Sequence, residues 1–321
     1  MSESRDLVSY KHTDHMTLIQ RQEPSHWYLR DGRPFHEIAK KDASGNRPVT
    51  LADARKVLAF PSVTNVLGVL AKPGLDAWKI EQGIMAALTL PRRADEPLDS
   101  FAHRVVADMG EQVEKAADLG SAIHNACEVY AINKQVPTDP RLRELFEPWR
   151  QWFDENVERI ACVEQVFVHP EHGYAGRVDM VALLKSGSAT GQPGAPYWAV
   201  VDFKTQKVKR SAKGEPKPVF YETWPLQLAA YREAARASGA RNITGLVSVV
   251  IDSTQPAPVH IKVWNSPSRT GQDCSMQNGA SGGQRNQDYF GSFVAALALW
   301  KYVKSYDPVH PGLSCERPEL N

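Results

Sequence analysis

The chain has 321 residues, enough for roughly two average domains or one domain with large additions. Apolar residues make up 42% and charged residues 23%, the balance of a globular protein able to bury a sizeable core. The 38 basic and 37 acidic side chains leave a formal net charge of +1, which argues against a general polyanion-coating protein; positive charge for a nucleic acid would have to be local.

The N-terminus, Met1 to Asp6, has no hydrophobic stretch behind it and predicts no secretory signal. Residues 1 to about 60 are polar and rich in His and Lys. His12 and His15 have a His-x-x-His spacing but no third ligand nearby, and read as tail. Asp31-Gly32, after the aromatic stretch from His26 to Leu29, predicts a hairpin turn. Pro61-Ser62-Val63-Thr64 leads into an apolar stretch with Ser62 or Thr64 as N-cap, and Pro91-Arg92-Arg93 closes this region.

From about 101 to 133 apolar residues recur at steps of three and four, through Val113, Ala116, Gly120, Ile123, Cys127 and Tyr130, and predict a helix. A second helix is expected over 141–157, with Leu145, Trp149, Trp152 and Phe153 on one face and a kink or a late start at Pro148. Strands follow over 162–168, 174–184 and 197–203, the last two separated by a Gly/Ser-rich loop from Ser186. A basic stretch leads to a helix over 223–238, then strands over 243–251 and 259–264. A Gly/Ser/Gln/Asn-rich segment, 265–287, predicts a loop, and an amphipathic helix closes the pattern over 288–306.

The longest apolar run is Phe293 to Trp300, far short of the ~18–20 residues that cross a bilayer, so no membrane span is expected. Cys127, Cys162, Cys274 and Cys315 form no C-x-x-C pair, which argues against a zinc ribbon or an iron–sulfur cluster and predicts reduced thiols in a cytoplasm. Cys127 reads as core rather than nucleophile. The element order predicts a mixed α/β core with helices packed on a sheet.

Two short segments carry the chemistry. Gly176-Arg177-Val178-Asp179 places an aspartate in an apolar strand, and Asp202-Phe203-Lys204 places two charges on one strand face. Charges emerging from such apolar strands carry a desolvation cost. A hard divalent cation held by both aspartates, beside the lysine, would offset it. The competing reading is a buried Asp–Lys ion pair that only holds the sheet together.

Asp179 with Asp202-Phe203-Lys204 resembles the signature of the PD-(D/E)XK nuclease superfamily. The surroundings resemble its RecB-like branch, which includes viral exonucleases and a mitochondrial genome-maintenance exonuclease. Gly120-Ser121-Ala122-Ile123-His124 matches the branch's Gly-x-x-x-His, and Gln227-Leu228-Ala229-Ala230-Tyr231 its Gln-x-x-x-Tyr. The segment Pro61 to Thr64 is similar to one in viral members. The resemblance spans about 101–306, with a weaker echo over 26–80.

It implies a restriction-endonuclease-like core of order αβββαβ over 101–308, an N-terminal extension over 1–100 packing on or gating it, and a tail over 309–321. It implies metal ligation by His124, Asp179, Asp202 and the main-chain carbonyl of Phe203, for one or two Mg²⁺ or Mn²⁺ ions. Lys204 would orient or deprotonate the attacking water. Glu164 matches a family carboxylate of less fixed role, while Gln227, Tyr231 and Arg177 would support the site or contact the DNA backbone. Glu128, one turn after His124, reads as solvated.

Lys207, Lys209, Arg210, Lys213 and Lys217, against the single Glu215, supply local positive charge for a phosphate backbone, or form an ordinary solvated loop. Tyr221 and Trp224 could stack on bases or anchor the next helix. Trp149, Trp152 and Trp300 read as core.

The expected function is a metal-dependent DNA exonuclease acting at ends, with single-stranded or resected DNA preferred and products with 5′-phosphate and 3′-hydroxyl ends. The setting implied is viral or prophage DNA recombination, repair or replication, in the cytoplasm of a bacterium or an infected host, with a recombinase or single-strand-binding protein as a possible partner. The alternatives are a structure-directed endonuclease or nickase on the same core, and a non-catalytic nucleic-acid-binding recombination module.

Overall fold

The computed structural model describes residues 26–42, 44–185, 195–240, 242–264 and 288–311. The loops expected from Ser186 and over 265–287, His12, His15, Cys274, Cys315 and nearly all of the C-terminal tail lie outside the described residues. These residues fall into two compact units, one over Lys72–Lys115 and the other comprising those up to Ala71 and from Ala116 onward.

In chain order, β1 (Trp27–Tyr28), β2 (Glu37–Ala39) and β3 (Asn46–Pro48) precede α1 (Leu51–Val57). Thr50 caps α1 in a capping box with Asp53, whose carboxylate also pairs with Arg47 at 2.7 Å. Strand β4 (Phe60–Pro61) pairs antiparallel with β1, and β2 with β3. The chain between β1 and Pro34 turns at Gly32, whose φ of 86° suits glycine, at the predicted hairpin position. Helix α2 (Val63–Leu67) starts from Ser62, whose hydroxyl accepts from Asn65 N–H at 3.0 Å; of the two expected caps, Ser62 is the one used.

The first unit holds α3 (Pro73–Thr89) and the start of α4 (Leu98–Asn133). Between the two helices, Glu96 accepts from Arg93 N–H and pairs with Arg104 at 2.8 Å. Helix α4 covers the predicted 101–133 and begins one turn earlier. Helix α5 (Pro140–Asn156) is capped by Asp139, has Pro140 in its first turn, and runs through Pro148 as a single element rather than starting there.

The helix leads directly into β5 (Val157–His169), then β6 (Tyr174–Leu184), β7 (Tyr197–Gln206), β8 (Lys209–Arg210), β9 (Pro216–Lys217), α6 (Thr223–Ala237), β10 (Ile243–Asp252), β11 (His260–Val263) and α7 (Tyr289–Lys304). Five strands form one mixed sheet in the order β11-β10-β7-β6-β5. Among the described residues of this sheet only β7 and β10 run parallel, with α6 in their connection; the other neighbours are antiparallel. Strand β5, at the edge of the sheet among the described residues, is longer than the alternation predicts, because it carries charged residues such as Glu158, Arg159 and Glu164 that obscure the apolar pattern.

Helices cover both sheet faces. On one face Val200, Leu246 and Val250 pack with Leu228, Ala234 and Phe293 of α6 and α7 and with Val63 and Val66 of α2. On the other, Met180, Val201, Phe203 and Val249 pack with Ile123 and Cys127 of α4 and Phe146, Trp149 and Phe153 of α5. Trp149, Trp152 and Trp300 are buried as expected, and so is Cys127. Among the described residues no helix is long and apolar enough to cross a membrane.

Candidate active site

The backbone opens the site. Strands β6 and β7 pair from Leu184↔Tyr197 to Met180↔Val201 and no further, although both continue. Asp179 and Asp202 are the first residues beyond the last pair. The Phe203 N–H, no longer served by the ladder, donates to Asp179 Oδ2 at 2.7 Å. The aspartate side chain thus takes the place of a missing strand partner.

Asp202 is 2% exposed and shares the α6-facing side of β7 with Val200 and Lys204. Lys204 Nζ donates to Asp202 Oδ1 at 2.7 Å. Asp202 Oδ2 lies at the same distance from the ammonium but off the line of a hydrogen bond, so this buried oxygen has no hydrogen-bond partner. Lys204 also reaches Gln227 Oε1 at 3.4 Å, and Gln227 Nε2 donates to the Tyr231 hydroxyl at 2.9 Å. The spacing of four sets Gln227 and Tyr231 on one face of α6, which orients the amide oxygen toward the lysine. The ring of Trp224 lies 5.8 Å from the same ammonium.

His124 approaches from α4, its Nδ1 4.0 Å from Asp179 Oδ2. Gly120, one turn earlier, lets the helix come close: a Cβ there would stand 2.8 Å from Thr205 Oγ1 of β7. Gly176 has a similar role on β6, where a Cβ would collide with the Tyr231 ring. Both glycines of the sequence motifs are therefore packing residues that bring His124 and Tyr231 to the strand ends.

Glu164 faces Asp179 from β5. The ladder joins Val163 to Met180 and Gln165 to Val178, and the intervening pair is missing. Glu164 has φ = 51°, the left-handed region, which costs a non-glycine residue about 1–3 kcal/mol. Its carboxylate pairs with Arg177 at 2.7 Å, and Arg177 is otherwise exposed. This turn within the strand leaves no signature in the residue types and is invisible to periodicity.

Electrostatics follow from crowding. Burial raises the Asp179 and Asp202 carboxyls above the ordinary carboxylate range, with the Lys204 charge opposing in both cases. Burial, then the Asp179 charge, pushes Glu164 up to about 7. His124 is lowered by burial and then by Lys204, which favours the neutral imidazole. Three acids and one lysine, all largely buried, constitute a site where additional positive charge is favourable.

Among the described residues no group of three or more His, Cys, Asp or Glu side chains is gathered closely enough to hold a metal ion. The donor chemistry still fits a hard cation: two aspartates on adjacent strands, one with a buried oxygen lacking a hydrogen-bond partner. Glu128, half-buried, belongs to the same electrostatic neighbourhood, as its charge acts on Glu164.

The basic stretch forms a hairpin, β8 against β9, rather than an irregular loop. Lys207, Lys209, Arg210, Lys213 and Lys217 are all exposed on it, while Val208 is buried beneath. Gln206 clamps its base: the amide donates to Val219 O at 3.0 Å and accepts from Val219 N–H at 2.9 Å. Sequence reasoning missed this clamp, which only the fold brings together. Trp224 is buried and anchors α6, whereas Tyr221, edge-on to it, is 40% exposed.

No family model matches the chain, and a search of curated proteins finds no match.

Proposed function

We propose that the protein is a metal-dependent deoxyribonuclease with a restriction-endonuclease-like core, acting as an exonuclease at DNA ends. The observation that carries this reading is the convergence of Asp179 and Asp202 where β6 and β7 part, with Lys204 hydrogen-bonded to Asp202. Asp179 also holds the Phe203 N–H, but Lys204 offers a single charge to two carboxylates that burial raises, so an Asp–Lys ion pair that only held the sheet together leaves the pairing of the two acids unexplained.

Asp179, Asp202, the Phe203 carbonyl and His124 would hold Mg²⁺ or Mn²⁺, which when bound would polarise a phosphodiester and acidify water. Lys204, steadied by Gln227, orients the attacking water and faces a non-bridging phosphate oxygen. The water oxygen bonds to phosphorus, the bond to the 3′ oxygen breaks, and that oxygen takes a proton. Products then carry 5′-phosphate and 3′-hydroxyl ends. The exposed hairpin cations follow directly from the reactive strand and draw the phosphate backbone past it. The setting of viral or prophage recombination, repair or replication rests on the sequence resemblance alone.

End-labelled linear DNA and closed circular DNA, incubated with Mg²⁺, Mn²⁺ or chelator, test the reading. Metal-dependent shortening of the linear substrate alone is expected. Cutting of the circle would replace the exonuclease by an endonuclease, and binding without cutting would leave a binding module.

A further inference from the structure

Beside the aspartates, a line of aromatic rings leads away from Lys204. The lysine ammonium lies 5.8 Å from the ring of Trp224, which Tyr221 meets edge-on at 5.4 Å and Phe220 at 5.9 Å. Phe220 in turn meets Trp264 edge-on at 6.4 Å. Strand register carries the line to β11: Asp202 pairs with Ser248 and Ser248 with Lys262, so these three side chains share the α6-facing side of the sheet. Two strand spacings, about 10 Å, separate Lys262 from Asp202.

Part of this line belongs to the core and part does not. Trp224 and Trp264 are buried, but Tyr221 is 40% exposed, Val219 45%, and Phe220 half-buried. The Gln206 amide holds both backbone groups of Val219, so these three residues are presented by a fixed segment. Lys262 Nζ stands over Trp264 at 3.9 Å and over Phe220 at 5.5 Å, and among the described residues no carboxylate pairs with it. A lysine held by ring faces keeps its charge available to an anion. The acid of the segment, Glu222, is outnumbered by Lys262 and the exposed Lys207, Lys209 and Arg210. Accessible rings beside such cations are the elements that hold unpaired nucleic-acid bases and their phosphates.

We propose that residues 219–221 and Lys262 form a stacking shelf for the bases of single-stranded DNA next to the aspartate site. An unpaired base stacks on the Tyr221 ring, Val219 and Phe220 extend the apolar surface, and Lys262 meets a phosphate. A duplex, whose bases already stack on one another, gains nothing from the ring. The shelf thereby favours a single strand at the site. The proposal deepens the nuclease reading and rests on it for where the substrate lies.

The test measures binding by the full chain in chelator, by fluorescence anisotropy, to an oligothymidylate of about 12 nucleotides, an abasic strand of the same length and the corresponding duplex. Tyr221→Ala should weaken binding of the oligothymidylate about tenfold, the loss of one stacked base, and leave the abasic strand and the duplex unchanged. Tyr221→Phe should bind like the wild type, and Lys262→Ala should lower the single-strand salt slope by about 0.7. Unchanged oligothymidylate affinity in Tyr221→Ala, or an equal loss on the abasic strand, would overturn the proposal. Cleavage assayed in parallel with Mg²⁺ separates the two readings. A chain that cleaves DNA while Tyr221→Ala binds like the wild type loses the shelf alone. Base-dependent binding through Tyr221 without cleavage supports the shelf and removes the nuclease.

Discussion

At the scale of single residues, Glu164 departs most from expectation. A left-handed glutamate inside a strand is retained at a cost, and it turns its carboxylate toward Asp179. Its carboxyl is raised from an ordinary 4.5 to about 7. A group raised in the folded state contributes stability that is full below the unfolded value and is lost as pH rises through the folded one. In metal-free solution the share of stability contributed by Glu164 should therefore fall between about pH 4.5 and pH 7, against the opposite trend of lowered imidazoles such as His124. Glu164→Gln should remove that share, so the melting temperature of the variant should rise relative to the wild type as pH increases from about 4.5 to 7, as read by thermal denaturation. A constant difference across that range would remove Glu164 from the coupled cluster. The partner charge of Arg177 is too exposed to offset this strongly.

At the scale of elements, the site depends on close approaches that two glycines permit. Gly176→Ala should force the Tyr231 ring away, shifting α6 and the Gln227 amide that steadies Lys204. A loss of about 1–3 kcal/mol in urea denaturation is expected, together with weaker cleavage. Unchanged stability would mean that the ring is free to move. The hairpin makes a separate claim. Alanine at Lys207, Lys209 and Arg210 should weaken DNA binding and flatten its salt dependence by a slope of roughly 3. An unchanged salt slope would reduce the hairpin to a solvated excursion.

Much of this was legible before the fold. The period of two put Asp202 and Lys204 on one face, and the spacing of four put Gln227 with Tyr231, while Gly120 with His124 came from the family resemblance. What could not be read depends on pairing between distant segments. The parting of β6 from β7 after Met180, the Phe203 N–H passing to Asp179, and the Gln206 clamp on Val219 are each set by tertiary register. The short strands β1 to β4 escaped because two or three residues carry no periodic signal.

At the scale of the whole molecule, the sheet with helices on both faces explains why buried charge gathers at one place. Both cores are apolar, and the charged pair of β7 emerges where β6 stops covering it. The apolar faces supply the rigidity that holds two aspartates and a lysine together against their desolvation. Such an arrangement persists when function requires it, and the function proposed is phosphodiester hydrolysis.

The most direct measurement is single-turnover cleavage of end-labelled linear DNA by the wild type, Asp202→Asn and Lys204→Ala, each with Mg²⁺ and with chelator. Folding is checked by circular dichroism and DNA binding by anisotropy. The account predicts metal-dependent cleavage by the wild type. It also predicts a loss of roughly 100- to 10,000-fold in Lys204→Ala, and at least as great a loss in Asp202→Asn, with both variants folded and still binding DNA. Cleavage at the wild-type rate by either folded variant would contradict it.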